Sequence, residues 1–206
     1  MKLAGLCLFS RLALSYGSWT QVSDGPSPRS LHAGAGSQDG RFWIHGGSGE
    51  SLLGDTWVFL CEASAWTHEE VPVAVQGAPP MRKEHVAAWD PDRQALWLHG
   101  GVGETQLQDL WQLSSNVWTL VSDTGPRLSD HAAVWDATNG ALWIHGGFDG
   151  TLKGDVWKFE SYGSRWIQIQ DSNPPSARAH HVAAWDPAGL TMWMHAGYDG
   201  SPLICT

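Results

Sequence analysis

Ten histidines stand in this 206-residue chain, and His32, His45, His85, His99, His131, His145, His181 and His195 fall at matching places along it. Neutral imidazole is a common metal ligand and titrates near neutral pH, so recurrent histidine raises metal binding first. The spacing argues against it. His45, His99, His145 and His195 each follow a tryptophan by two positions, which on a strand puts both side chains on one side. The histidine is then expected to pack beside tryptophan and to hydrogen-bond backbone of the next repeat. Equivalent imidazoles spread over separate repeats lie too far apart to share one ion at about 2.0–2.1 Å. His180 and His181 are adjacent, so on a strand they face opposite ways and do not chelate. No metal and no cofactor is expected. Arg29, Arg82, Arg127 and Arg178 stand three or four residues before His32, His85, His131 and His181. Such arginines either join one repeat to the next or offer a planar fork to a ligand. Nucleophilic catalysis has no support, since no Gly-x-Ser-x-Gly elbow occurs. Cys7, Cys61 and Cys205 form neither a Cys-x-x-Cys pair nor a disulfide scaffold, which leaves their redox state open.

The elements that carry these residues repeat. Trp43-Ile44-His45-Gly46-Gly47 returns as Trp97-Leu98-His99-Gly100-Gly101, Trp143-Ile144-His145-Gly146-Gly147 and Trp193-Met194-His195-Ala196-Gly197. The histidines in these segments are 54, 46 and 50 residues apart. Before the last three lie Glu84 to Asp90, Asp130 to Asp136 and His180 to Asp186, each ending in Trp-Asp, with Leu31 to Gly36 as a degraded first copy. After the glycine pairs come Gly54-Asp55-Thr56-Trp57, Asp109-Leu110-Trp111 and Gly154-Asp155-Val156-Trp157, and then segments around Trp66, Trp118 and Trp166, with a further copy at Trp19. These four slots account for all 14 tryptophans. Each element is short, alternates apolar and polar positions and is bounded by Gly, Pro, Asp or Asn, so each predicts a strand.

Apolar strand, Gly-Gly, a loop ending in Asp, an aromatic strand and a further Trp together resemble the kelch repeat, from about Gly17 to Gly200. The resemblance implies an all-β fold, a kelch-type β-propeller of four-stranded antiparallel blades. With strands A to D counted outward from the axis, three blades read as complete, at residues 31–71, 84–122 and 130–170. Residues 180–206 supply strands A and B of a fourth. Residues 5–22 match its outer strands, because Ser15-Tyr16-Gly17-Ser18-Trp19 parallels Ser161-Tyr162-Gly163-Ser164-Arg165-Trp166. The whole chain therefore reads as one propeller domain, either a small ring with a split blade or a fragment of a longer array. Lys2 and the apolar stretch Leu3 to Phe9 also resemble a weak signal peptide, which competes with the strand assignment.

Composition narrows function further. The net charge is −9, and basic residues are scattered apart from Arg82-Lys83, which argues against nucleic acid and anionic membranes as partners. No apolar run approaches the roughly 20 residues that cross a bilayer, so no membrane insertion is expected. Asn116, Asn139 and Asn173 all miss the glycosylation pattern, which points to the cytoplasm, with secretion as the alternative.

In antiparallel blades, the segment leading into A and the loop joining B to C emerge on one face, the natural recognition surface. That face carries Arg29, Arg82, Arg127 and Arg178, with Glu50, Glu104, Phe148, Asp149, Lys153, Tyr198 and Asp199 from the loops. The kelch resemblance implies that it engages a protein partner without catalysis. A secreted carbohydrate-binding propeller is the alternative. A copper enzyme like the galactose oxidases is disfavoured, since Tyr16, Tyr162 and Tyr198 are not placed to meet at one axial site.

Overall fold

The structure, a computed structural model, describes residues 22, 25–68 and 77–201. Residues 5–21, which include the Trp19 segment and the signal-like stretch, lie outside the described residues.

The described chain is all-β. Its first sheet comprises β1 (Ala33–Gly36), β2 (Arg41–Ser48), β3 (Leu52–Leu60) and β4 (Ala65–His68), in that spatial order. The second comprises β5 (Val86–Asp90), β6 (Ala95–His99), β7 (Leu110–Ser114) and β8 (Val117–Ser122), and the third β9 (Ala132–Asp136), β10 (Ala141–His145), β11 (Val156–Glu160) and β12 (Arg165–Ile169). A fourth sheet contains β13 (Val182–Asp186) and β14 (Thr191–His195) among the described residues. Every pairing is antiparallel, and the register repeats: Val86 faces His99, Ala132 faces His145 and Val182 faces His195.

Local chemistry explains the meander. Each Trp-Asp aspartate ends an A strand and holds the tight turn to B: Asp90 Oδ1 accepts the Asp92 and Arg93 N–H groups at 3.0 and 3.1 Å. Asp136 and Asp186 do the same for the Asn139 and Ala188 N–H groups, at 3.2 and 3.0 Å. This is the aspartate turn in which a side chain replaces a backbone acceptor. At the other end of B, Gly46 and Gly47 take φ values of +60° and +100°. A Cβ on Gly46 would sit 2.6 Å from the Arg82 carbonyl oxygen of the next sheet, so glycine is required by both conformation and space.

The sheets stand side by side through their innermost strands, with β1 beside β5, β5 beside β9 and β9 beside β13. The repeated blade-like sheets are compatible with a β-propeller. The four A strands line a cavity of about 430 Å³ walled by Ala35, Ala87, Ala133 and Ala183 and by the indoles of Trp89, Trp135 and Trp185. Between sheets lie two apolar clusters. Trp43 and Val58 of the first sheet meet Leu96, Leu98, Trp111 and Leu113 of the second. Trp97 and Leu110 of the second meet Trp135, Leu142, Ile144 and Phe159 of the third. Because β6 is covered on both faces, all five of its residues are buried, and the alternation expected of a half-exposed strand is lost.

Candidate functional site

The repeated histidines join the sheets in pairs. His45 Nδ1 lies 3.1 Å from His85 Nε2, His99 Nδ1 3.0 Å from His131 Nε2 and His145 Nδ1 3.1 Å from His181 Nε2. This corrects the expectation of a bond to backbone: the partner is the imidazole that opens the next sheet. Two imidazoles can share one proton in such a bond only if at least one ring is neutral, and burial favours neutrality in both. Desolvation first, then the nearby Arg82 guanidinium, lowers His45 and His99 from 6.5 to about 3. Desolvation brings His145 and His181 to about 4, with Arg178 adding to it. His85 and His131 are held well below 6.5 by the same burial. The outer ring nitrogens, such as His45 Nε2 and His85 Nδ1, are buried without a hydrogen-bond partner.

Tryptophans stack across the same three sheet boundaries. Trp43 stacks on Trp89 at 6.2 Å between centroids, Trp97 on Trp135 at 5.2 Å and Trp143 on Trp185 at 6.2 Å. Trp118 and Trp166, from the outermost strands, set their rings on His45 and His99 of the preceding sheet.

The arginines divide. Arg82 is fully buried, and its guanidinium grips Asp109 through two bonds of 2.8 and 2.7 Å while donating to the Gly100 carbonyl at 3.0 Å. Asp109 also accepts the Trp111 indole N–H at 2.6 Å. Arg29 repeats the clamp on Asp55, at 2.6 and 2.8 Å, with the Gly46 carbonyl at 3.1 Å. Burial alone would raise the Asp55 carboxyl, but the Arg29 and Trp57 hydrogen bonds outweigh it and bring it down to about 2. Arg178, half-buried, donates to the Ala196 carbonyl at 2.8 Å.

The third repeat departs from this pattern. Counting back three residues from His131 reaches Leu128, which is buried in the clamp position, and Asp155 accepts a bond from Gln168 instead. Arg127, one residue earlier, is exposed, with Nε donating to Gln108 at 3.1 Å. A shift of one residue reverses the direction of a side chain along an extended segment, so Arg127 is set apart from the other three.

The loops do share a face. Backbone bridges tie each incoming linker to the adjacent B-to-C loop: Ser30 to Ser48, Lys83 to Val102, Ser129 to Phe148 and Ala179 to Tyr198. Neighbouring loops also touch, since the Gln106 amide donates to the Phe148 carbonyl. Glu50, Glu104, Asp149 and Asp199 are exposed at the loop tips. Lys153 is bound to Asp149 at 2.8 Å. Phe148 and Tyr198 are 43% and 49% exposed, and Met81, which the sequence did not single out, is 58% exposed.

A second feature of this face was also not foreseen. Leu31, Glu84, Asp130 and His180, each just before a repeat histidine, all have φ between +52° and +59°. Their backbones form a chain across the sheets, from the Glu84 N–H to the Leu31 carbonyl, Asp130 to Glu84 and His180 to Asp130, each at 2.9 Å. The only sequence signal was position, because non-glycine residues seldom adopt this conformation.

At the opposite end, a cavity of about 280 Å³ between the first two sheets is lined by Arg41, Arg93, Trp43 and Asn116 among others. Arg93 there is held by Asp90 at 2.9 Å and lies 4.6 Å above the Tyr162 ring. Among the described residues, no group of three or more His, Cys, Asp or Glu is placed to hold a metal ion. No protein-family model matches the chain, and no curated protein matches it.

Proposed function

We propose that this chain is a kelch-type β-propeller, or part of one, that holds a protein partner on its loop face and catalyses no reaction. One observation carries this reading: the groups most able to do chemistry are committed to structural contacts within and between sheets, while the side chains at the loop bridges differ from repeat to repeat. Six histidines pair across sheet boundaries, and Arg29 and Arg82 are clamped on aspartates. Ser48, Val102, Phe148 and Tyr198, by contrast, are equivalent positions filled by four different side chains. Variation of this kind suits one asymmetric partner. The buried tryptophans weigh against the carbohydrate alternative, since Trp43, Trp97 and Trp135 are at most 8% exposed and their faces are covered by other rings.

Affinity capture with wild type, Phe148→Ala and Tyr198→Ala, the exposed aromatic side chains of the loop face, tests the reading, with circular dichroism to confirm folding. Loss of the same partner by both folded variants is the expected result. Retention of that partner by both would overturn it.

A further inference from the structure

Burial of the arginines changes the charge of the loop face. Counted from sequence, the face is mixed, with Arg29, Arg82, Arg127 and Arg178 against the loop acids. In the structure, the Arg29 and Arg82 side chains are 4% and 0% exposed and neutralised by Asp55 and Asp109. Arg178 points its guanidinium at the Ala196 carbonyl and Ser176. Lys153 is paired with Asp149, and Lys83 lies 3.4 Å from Glu84. Arg127 and Arg178 keep their charge on this face, since the groups that hold them, Gln108 and the Gln106 carbonyl for the one and Ser176 and the Ala196 carbonyl for the other, are neutral.

The acids are distributed differently. Each loop tip carries one carboxylate, and Glu50, Glu104 and Asp199 have no ion-pair partner among the described residues. The exposed apolar side chains Met81, Phe148 and Tyr198 lie on the same run of loops. Met81 packs against Gly54 of the first sheet and its backbone lies against Gly103 of the second. Apolar anchors beside an excess of one charge sign, here the three loop-tip carboxylates against Arg127 and Arg178, favour partners of the opposite sign and speed their capture.

We infer that the partner presents a basic segment: a peptide whose Lys or Arg residues meet Glu50, Glu104 and Asp199 while an aromatic or aliphatic side chain rests on Phe148, Tyr198 and Met81. This inference rests on the loop-face reading and adds the chemistry of the partner to it. A clamp arginine contributes to recognition only by fixing the loops, because its own donors are already bound.

The test uses two short fluorescein-labelled peptides with the same Trp and Leu residues, one with Lys and Arg between them and the other with Asp and Glu. Fluorescence anisotropy is read with the full chain. The basic peptide is expected to bind at least about tenfold more tightly and to weaken as ionic strength rises from about 0.05 to about 0.5 M. The combined variant Glu50→Gln, Glu104→Gln, Asp199→Asn should lose about tenfold or more in affinity, and these exposed, isosteric changes leave the fold intact. Phe148→Ala should weaken the same complex. Equal or tighter binding of the acidic peptide, still weakened by Phe148→Ala, overturns the inferred chemistry and keeps the loop face. Peptide binding indifferent to Phe148 and to the three acids overturns both. If neither peptide binds, the inferred chemistry is overturned.

Discussion

At the residue scale, the paired histidines make stability depend on pH in a direction that can be worked out. Their folded values lie between about 3 and 4 for His45, His99, His145 and His181, against 6.5 for the free side chain. The unfolded chain therefore binds more protons than the folded chain below about pH 6.5, and stability falls with pH across the window down to about pH 3. Urea midpoints measured at descending pH should drop steadily below about pH 6.5, and a flat profile down to about pH 4 would show that the imidazoles titrate freely. Asp55 acts in the same sense at lower pH, since its folded value of about 2 lies below the 3.8 of the free carboxyl. The arginines give a second contrast. Arg82→Met leaves Asp109 half-buried without its cation and should cost about 3–5 kcal/mol, whereas exposed Arg127→Met should change stability by less than about 0.5 kcal/mol. Thermal unfolding of the two variants checks this, and equal losses would contradict the assignment. The sequence showed that arginine recurs before histidine. It did not show that Leu128 takes the third clamp position, because four residues and three residues both look like one repeat until the chain direction is known.

At the element scale, the glycine pair does more than turn the chain. Its second N–H reaches the next sheet, from Gly47 to the Arg82 carbonyl, Gly101 to Leu128 and Gly147 to Arg178, each at 2.8 Å. A Cβ on Gly101 would stand 2.5 Å from the Lys83 carbonyl oxygen at φ +92°. Gly101→Ala should therefore cost about 3 kcal/mol, combining a disfavoured conformation with displacement of backbone. Ala196 is the instructive counterpart, because it occupies the first-glycine position at φ +61° and is exposed. Ala196→Gly should change stability by no more than about 1 kcal/mol, read from the same unfolding curves. Strand identity and order were legible in the sequence because Trp, His, Gly and Asp mark strand ends with fixed offsets. The histidine pairs were not, since they join residues 32 to 40 positions apart across two sheets. The left-handed residues Leu31, Glu84, Asp130 and His180 share no side-chain type and so left no pattern to find.

At the scale of the whole molecule, sheets joined at each described boundary by a histidine pair, a tryptophan stack and backbone hydrogen bonds produce a scaffold with two unlike ends. Aspartate-held turns and Arg93 over Tyr162 close one end, while the loop run from Glu50 to Asp199 forms the other. The fourth sheet shows what a boundary looks like uncovered, with Val182 64% and Trp193 63% exposed among the described residues, where Trp97 is at 3%. The proposal that residues 5–22 complete this sheet follows from their sequence match to the third repeat. That recognition belongs to the loop end is the central claim, and comparing the two ends in one binding measurement tests it most directly. The partner captured by the wild type should be titrated by isothermal calorimetry against Phe148→Ala on the loop face and Arg41→Ala at the opposite end. Phe148→Ala is predicted to weaken binding by about tenfold or more, with Arg41→Ala unchanged. Full affinity in folded Phe148→Ala, together with loss in folded Arg41→Ala, would contradict the account.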